Sequence, residues 1–491
     1  MDYFSPITAD DGVLGNLILD SNGGLAGAKI STAKQFYKKD YTNFGPQLGF
    51  AWSPGWNWTK ERAVVRGGFG MGYDRLPNAL LANARRNPPS GGQRFGPCCG
   101  TTGDPFRGGQ ILFVGSTDGT IFGYPRNPNL GGGINPANGL PNLGSVEIYG
   151  APQDMPTAYV YRWSLEGQYE LPWHLVGTLG YQGSAGHHFV RILPLHIIAP
   201  TTNPNANPVY FASPDVNSNY NAMLARLQGR FSRHLSFDVN YRFSKSIDTT
   251  SFEGPTGLTN QSFPVDQREE RGPSDFDVTH YITAAALWDL PFFNDHPNTW
   301  KDRLLGGWHI DAVATHHSGF PWTPKAFGCL QGSTPSNGSF CDPRPLSYNG
   351  QAPLANTNSN FLSPGGIFPG AFIPGADCNV APGCNRYFNT VIPGDNPFAS
   401  RPGIGRNVFR GPRYNDLDMS FGKRIGLPGF GVLGESASLD IKFNFFNILN
   451  TLNLAPFNSS TDPTRVALPA FGTAIGALAG RTGEFQVRFS F

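Results

Sequence analysis

Charge is scarce in this chain. Asp, Glu, Lys and Arg make up 15% of its 491 residues, where about 25% is usual for a soluble domain. The 37 basic and 35 acidic residues leave a formal charge of +2, so there is no basic field of the kind that draws nucleic acid. Long apolar runs are missing too. The longest unbroken one is Ala284 to Trp288, far short of the ~18 residues of a membrane-spanning helix. The opening Met-Asp-Tyr-Phe-Ser-Pro has neither a basic nor an apolar region, so no signal peptide is expected there. There is no Cys-x-x-Cys of zinc-site spacing, no His-Glu-x-x-His and no Gly-x-Ser-x-Gly. No catalytic constellation emerges, and neither an enzyme nor a cofactor is expected.

What the chain has instead is 62 Gly, 43 Pro and 38 Phe. That balance suits strands joined by long turns. Aromatic residues reach 13%, too many for a solvated disordered chain. The glycines show no period of three, which excludes collagen. The dominant pattern is strict alternation. In 159–170, Tyr159, Tyr161, Trp163, Leu165 and Tyr169 alternate with Val160, Arg162, Ser164, Glu166, Gln168 and Glu170. In 235–244, Leu235, Phe237, Val239, Tyr241 and Phe243 alternate with Ser236, Asp238, Asn240, Arg242 and Ser244. Segments of this kind set one face in an apolar medium and the other in water.

Eleven segments read as strands: 44–52, 62–73, 157–170, 174–183, 220–231, 235–247, 277–290, 305–318, 413–426, 436–450 and 481–491. Most exceed the ~5–6 residues of a soluble strand and match the ~9–11 that a tilted strand needs to cross a bilayer. Connectors alternate in length. The gaps 53–61, 171–173, 232–234, 291–304 and 427–435 hold at most 14 residues, and the intervening ones at least 29. Short periplasmic turns alternating with long extracellular loops characterise a bacterial transmembrane β-barrel. Trp52, Trp56, Trp58, Trp173, Trp288, Trp300 and Trp308 lie in or beside the short turns, as an aromatic girdle at one interface would. The fold expected is therefore all-β, an antiparallel transmembrane barrel. A secreted or surface β-rich protein that binds carbohydrate or a partner is the alternative; it would have shorter strands and no girdle.

Several stretches carry a family resemblance: Asn43-Phe-Gly-Pro-Gln-Leu-Gly-Phe-Ala-Trp52, Val64-Val-Arg-Gly-Gly-Phe-Gly-Met-Gly-Tyr73, Gly272-Pro-Ser-Asp-Phe-Asp-Val-Thr-His280, Phe443-Asn-Phe-Phe-Asn-Ile-Leu-Asn450 and Gly483-Glu-Phe-Gln-Val-Arg-Phe-Ser-Phe491. In this order they resemble the C-terminal barrel portion of TonB-dependent outer-membrane receptors, in particular the large Oar-like transporters. The resemblance implies a 22-stranded barrel in the outer membrane of a Gram-negative-type bacterium, an N-terminal plug, a TonB box and energised uptake of a scarce solute. The partners it implies are outer-membrane lipid, the TonB inner-membrane energy complex, the barrel-assembly machinery and an unidentified solute. No plug is visible in 1–491. Residues 1–43 read as an upstream loop segment and 44–491 as barrel strands and loops, with strands 44–52 and 481–491 running the same way. The expectation is about half a barrel, an open sheet.

Within that frame Arg162, Glu166, Gln168, Arg226, Arg230, Asp238 and Arg242 are the candidates for lining the lumen. The glycines of Arg66-Gly-Gly-Phe-Gly-Met-Gly72 lack the Gly-Lys-Ser/Thr ending of a phosphate loop, and Gly68, Gly70 and Gly72 share one strand face, a smooth wall. The carboxylates of Asp266-Gln-Arg-Glu-Glu-Arg271, Asp275 and Asp277 are expected to be neutralised locally by Arg268, Arg271 and His280. The pairs His187-His188 and His316-His317 face opposite sides of a strand and cannot chelate as neighbours. All six cysteines lie in the two longest loops. Cys329 with Cys341 and Cys378 with Cys384 are expected to form local disulfides, and the pairing of Cys98 and Cys99 is left open. Phe485, Val487, Phe489 and Phe491, on one face of the last strand, resemble the signal read by the barrel-assembly machinery.

Overall fold

The computed structural model describes residues 14–33, 35–56, 62–74, 134–140, 146–199, 201–231, 234–251, 261–291, 304–326, 343–376, 384–389, 401–427, 437–457 and 462–490, with 84, 87–88, 93–95, 111–113 and 142 in addition. Eleven strands form one meander: β1 Gln47–Trp52, β2 Ala63–Asp74, β3 Ala158–Leu171, β4 Leu175–Pro194, β5 Ala206–Arg230, β6 Leu235–Asp248, β7 His280–Asp289, β8 Trp308–His317, β9 Tyr414–Gly426, β10 Ser438–Phe446 and β11 Thr482–Ser490. Each pairs antiparallel with the next. Among the described residues no ladder joins β1 to β11, so the sheet is open with two edges. No described helix is long and apolar enough to cross a membrane.

The register puts the alternation to use, because residues directly opposite in an antiparallel pair share a face. On one face Leu48 opposes Phe69, Phe69 opposes Trp163, and Leu165 opposes Tyr181. Farther along, Val239 sits between Leu227 and Ala284, and Phe443 between Phe421 and Phe485. Leu48, Phe69, Leu165, Tyr181, Leu227, Val239, Phe443 and Phe485 are all exposed. A sheet face of this composition needs an apolar medium. Two glycines on it make room for rings: a Cβ at Gly67 would strike the Phe50 ring, and one at Gly183 the Trp163 indole.

All eleven expected strands are present, with corrected bounds. The segment 174–183 continues to Pro194, and 220–231 begins at Ala206. The expected long loop 184–219 is therefore mostly a hairpin extension closed by 195–205. Register shifts between Ser213 and Val216 and between Val216 and Ser218 break the period of two, which hid the extension in the sequence. At the other end of the chain 447–450 leave the expected strand, with Asn447 and Asn450 at φ 50° and 52°.

The buried cores lie off the apolar face, at the long-loop end. One gathers Leu14, Phe36, Tyr149, Ile192 and Tyr210, and beside it Leu17, Leu25, Ile148, Leu193 and Val209. The upstream segment thus contributes a hairpin, Leu14–Ile18 with Lys29–Ala33, and Val146–Gly150 runs parallel to the start of β5. Asn16 and Asn87 knit this cap: Asn16 Nδ2 donates to Phe36 O (3.0 Å) and Ala151 O (2.9 Å), and Asn87 Nδ2 donates to Gly15 O (2.7 Å). The other core is aromatic, with Trp322, Phe361, Phe368, Phe388, Phe409, Phe457 and Phe471, drawn from the loops 318–413 and 447–481. The Phe368 and Phe409 rings meet edge to face at 4.8 Å, a favoured aromatic geometry.

Candidate functional site: the polar face of the sheet

The opposite face carries the polar half of the alternation. Glu166 opposes Arg66 and Gly180, and Gln168 opposes Thr178, which opposes Arg226. Arg226 and Asn240 face each other, as do Gln228 and Asp238. Arg226 Nε donates to Asp238 Oδ1 at 3.0 Å, and a second ion pair joins Nη2 to Oδ2. Arg66 reaches Glu166 at 3.5 Å and Gln168 at 3.4 Å. Arg66, Glu166, Gln168, Thr178, Arg226, Gln228 and Asn240 line a groove of about 520 Å³ together with Arg242, Tyr281 and Thr283. Beyond it Lys442 pairs with Asp311 (3.6 Å), and Ser420 Oγ donates to Asn444 Oδ1 at 2.6 Å.

All seven residues proposed for a lumen wall lie on this face. Arg162 opposes Gly70 and Ser184, and Arg230 opposes Ser236 at the short-turn end. Gly68, Gly70 and Gly72 lie there too. A Cβ at Gly72 would meet nothing within 4 Å, and one at Gly70 only Gln47 Cγ at 3.7 Å, so these glycines leave open wall rather than answer a steric demand. His316 and His317 divide as expected. The first bonds Asn415 Oδ1 at 2.6 Å on the apolar face, and the second stacks on Tyr414 on the polar face. Among the described residues no group of His, Cys, Asp or Glu could hold a metal.

The tryptophans mark one end of the sheet. Trp52, Trp173, Trp288 and Trp308 border the short turns and are exposed; Trp58 and Trp300 lie outside the described residues. Lys423 stands over the Trp308 ring at 4.9 Å and donates to Gly306 O at 2.6 Å, the amphipathic pairing of a membrane boundary. Exposed apolar side chains, tryptophans at one boundary and a polar opposite face together describe a sheet built for a bilayer.

The family model for the outer membrane beta barrel domain matches residues 1–486. The chain belongs to that family. The barrel domain accordingly resides in the outer membrane, with the apolar face toward lipid. Solved structures similar to it include the outer membrane transporter YddB from Escherichia coli (8% identity, TM-score 0.45, 91% of this chain and 40% of that one). Another is the FrpB iron transporter from Neisseria meningitidis (11%, 0.39, 94% and 41%). A third is the ferripyoverdine receptor of the outer membrane of Pseudomonas aeruginosa (7%, 0.38, 94% and 34%). The chain spans about two fifths of the length of these structures or less. No match was found among curated proteins.

The carboxylates of 266–277 are neutralised, but not by Arg268, Arg271 and His280 as expected. Their partners come mainly from the 343–410 stretch of the barrel domain, with Lys245 of β6 4.0 Å from Asp277 in addition. Arg344 pairs with Glu270 at 2.9 Å, both buried, and donates to Ile404 O at 3.0 Å. Burial pushes the Arg344 guanidinium below its ordinary value, and Glu270 opposes the shift. Arg401 pairs with Glu269 (2.6 Å) and Asp266 (3.6 Å), Arg406 with Asp248 and Asp275, and Arg410 with Asp277. His280 instead receives or gives a hydrogen bond at Tyr241 Oη, 2.9 Å away. Separations above 70 residues kept these arginines out of reach of sequence reasoning. Cys384 is fully buried and disulfide-bonded, while Cys98, Cys99, Cys329, Cys341 and Cys378 lie outside the described residues. Phe485, Val487 and Phe489 are exposed on the apolar face of β11, and Phe491 lies outside the described residues.

Proposed function

We propose that this barrel domain is the C-terminal part of a TonB-dependent outer-membrane transporter that takes up a scarce solute. The polar face forms part of the lumen wall, and Arg162, Glu166, Gln168, Arg226, Arg230, Asp238 and Arg242 line the passage. The strands that close the sheet, the plug and the TonB contact come from chain outside 1–491. One observation carries the reading: a single meander gathers most of its charged side chains on one face and most of its exposed rings and aliphatic side chains on the other, with tryptophans at the short-turn end and folded caps at the other. An open sheet edge leaves backbone groups unsatisfied in lipid at several kcal/mol each, so β1 and β11 call for further strands. The barrel-assembly machinery reads the end of β11.

The test uses the complete gene product in its own outer membrane. Cysteines introduced singly at Ser359 and Trp173 are treated with a membrane-impermeant maleimide on whole cells, and labelling is counted above that of the unsubstituted protein with its six native cysteines. Labelling at 359 alone is expected, and equal labelling at both overturns the topology. Uptake of a ferric siderophore, a cobalamin, an oligosaccharide and an oligopeptide is then followed with and without a protonophore. Accumulation of one of them that stops with the protonophore supports the reading; accumulation of none, or accumulation indifferent to it, overturns the energised step.

A further inference from the structure

Two cross-strand rows stand side by side on the polar face of β6, β7, β8 and β9. In the first, Arg242 opposes Tyr281, Tyr281 opposes His317, and His317 opposes Tyr414. The guanidinium lies 4.9 Å from the Tyr281 ring centre. The Tyr281 and His317 rings are near parallel at 13° and 6.1 Å, and His317 and Tyr414 at 15° and 5.1 Å. In the second row, two residues along each strand, Asn240 opposes Thr283, Thr283 opposes Thr315, and Thr315 opposes Asp416. Three registers agree in keeping these eight side chains on one face, and all are half-buried rather than sealed.

Half of them have hydrogen-bonding capacity to spare, while Asn240 donates to Asp238 Oδ1 at 2.8 Å and His317 Nδ1 bonds Ser318 O at 2.9 Å. Among the described residues the Tyr281 phenol, the Thr283 and Thr315 hydroxyls and the Arg242 guanidinium have no side-chain hydrogen-bond partner, and Arg242 Nε is buried without one. Tyr414 Oη donates to Asp416 Oδ2 at 3.0 Å, leaving Oδ1 unpartnered. Unmet polar groups along a solute path are where a ligand gains most over water. With strands ~4.8 Å apart, the paired rows extend ~14 Å across the sheet, a step per strand close to the length of one pyranose unit. Arg242 at one end offsets Asp416 at the other, Asp418 two residues farther accepts from Asn447 N at 2.8 Å, and Arg226 nearby is already held by Asp238. A neutral chain with apolar C–H surface on one side and hydroxyls on the other fits such a surface; a highly charged solute does not.

We propose that these rows bind a neutral oligosaccharide, the stacked aromatic row meeting it with ring edges and the Tyr281 phenol and the Asn-Thr-Thr-Asp row bonding its hydroxyls. The proposal rests on the transporter reading for its biological setting but is tested without transport. The complete gene product in detergent is titrated by calorimetry with maltohexaose, cellohexaose, xylohexaose and chitohexaose. At least one is expected to bind. Tyr281→Ala and Tyr414→Ala should then weaken it about tenfold or more, whereas Tyr159→Ala, on the apolar face, should change it less than about twofold. Tyr281→Phe, which keeps the ring, guards against misfolding and should fall between. Binding of none of the four, or binding indifferent to both alanine variants and to Tyr281→Phe, overturns the proposal. Binding without cellular accumulation would overturn the transporter reading and keep the rows. Energised uptake of another solute with no saccharide bound would do the reverse.

Discussion

Val239 and Asn240 are neighbours in β6 with opposite surroundings, and arginine at each position separates the two faces of the sheet. Val239 is 37% exposed between Leu227 and Ala284 on the apolar face. A guanidinium placed there near the bilayer midplane costs about 2–4 kcal/mol. At 1.4 kcal/mol per tenfold, Val239→Arg should lower the folding equilibrium constant by about 30- to 700-fold. Asn240 faces Arg226 and Thr283 and donates to Asp238 Oδ1 at 2.8 Å. An arginine there would find the Asp238 carboxylate on one side and Arg226 on the other, in a wet and screened setting where exposed charge pairs contribute ~1 kcal/mol or less. The measurement is a urea titration of the complete gene product folding into lipid vesicles, read by the mobility of the unboiled protein on a gel. Val239→Arg is expected to shift the midpoint strongly and Asn240→Arg slightly. Equal shifts would refute the assignment of faces, and a larger shift for Asn240→Arg would invert it.

The remaining expectations concern the caps and the chain end. Arg344→Met strands the buried Glu270 carboxylate and should destabilise the loop cap by about 3–5 kcal/mol, with much of that recovered in Arg344→Met/Glu270→Leu; protease nicking within 343–410 reads it, and equal nicking of single and double variants would contradict it. Burial holds the His196 imidazole below its usual pKa, so its contribution to cap stability is present above pH ~6.5 and lost as pH falls through the lower folded value; amide protection factors at 192–211, with the intrinsic exchange rate at each pH divided out, should fall at pH 5 relative to pH 7.5 in the native protein and much less in His196→Phe. Non-reducing peptide mapping should join Cys384 to Cys378 and Cys329 to Cys341, and a peptide linking Cys98 to the 320–340 region would show otherwise. Removing Phe491 should lower outer-membrane yield more than Phe445→Leu, a substitution on the apolar face opposite Met419 and Gly483; equal yields would dismiss the assembly signal.

The alternation of 159–170 and 235–244, the length of the strands and the short-long order of the connectors by themselves determined the class of this protein, since soluble sheets share the alternation but not the ~9–11-residue spans or the segregated loops. The number of strands, their order along the chain and the sidedness of the connectors follow from the same local chemistry. So does the grouping of Arg162, Glu166, Gln168, Arg226, Arg230, Asp238 and Arg242, because parity alone puts each on the polar face of its strand.

Register is another matter. Which residue stands across from which depends on turn geometry and bulges, and the shifts near Ser213 and Val216 defeated the period that had served elsewhere. Only the folded chain sets Arg242, Tyr281, His317 and Tyr414 in one row, since they come from four strands separated by loops of very different length. The same holds for Arg344 with Glu270 and for the aromatic core around Phe368. Their segments have no periodicity, and their burial depends on contacts between distant loops, which local sequence preferences do not encode.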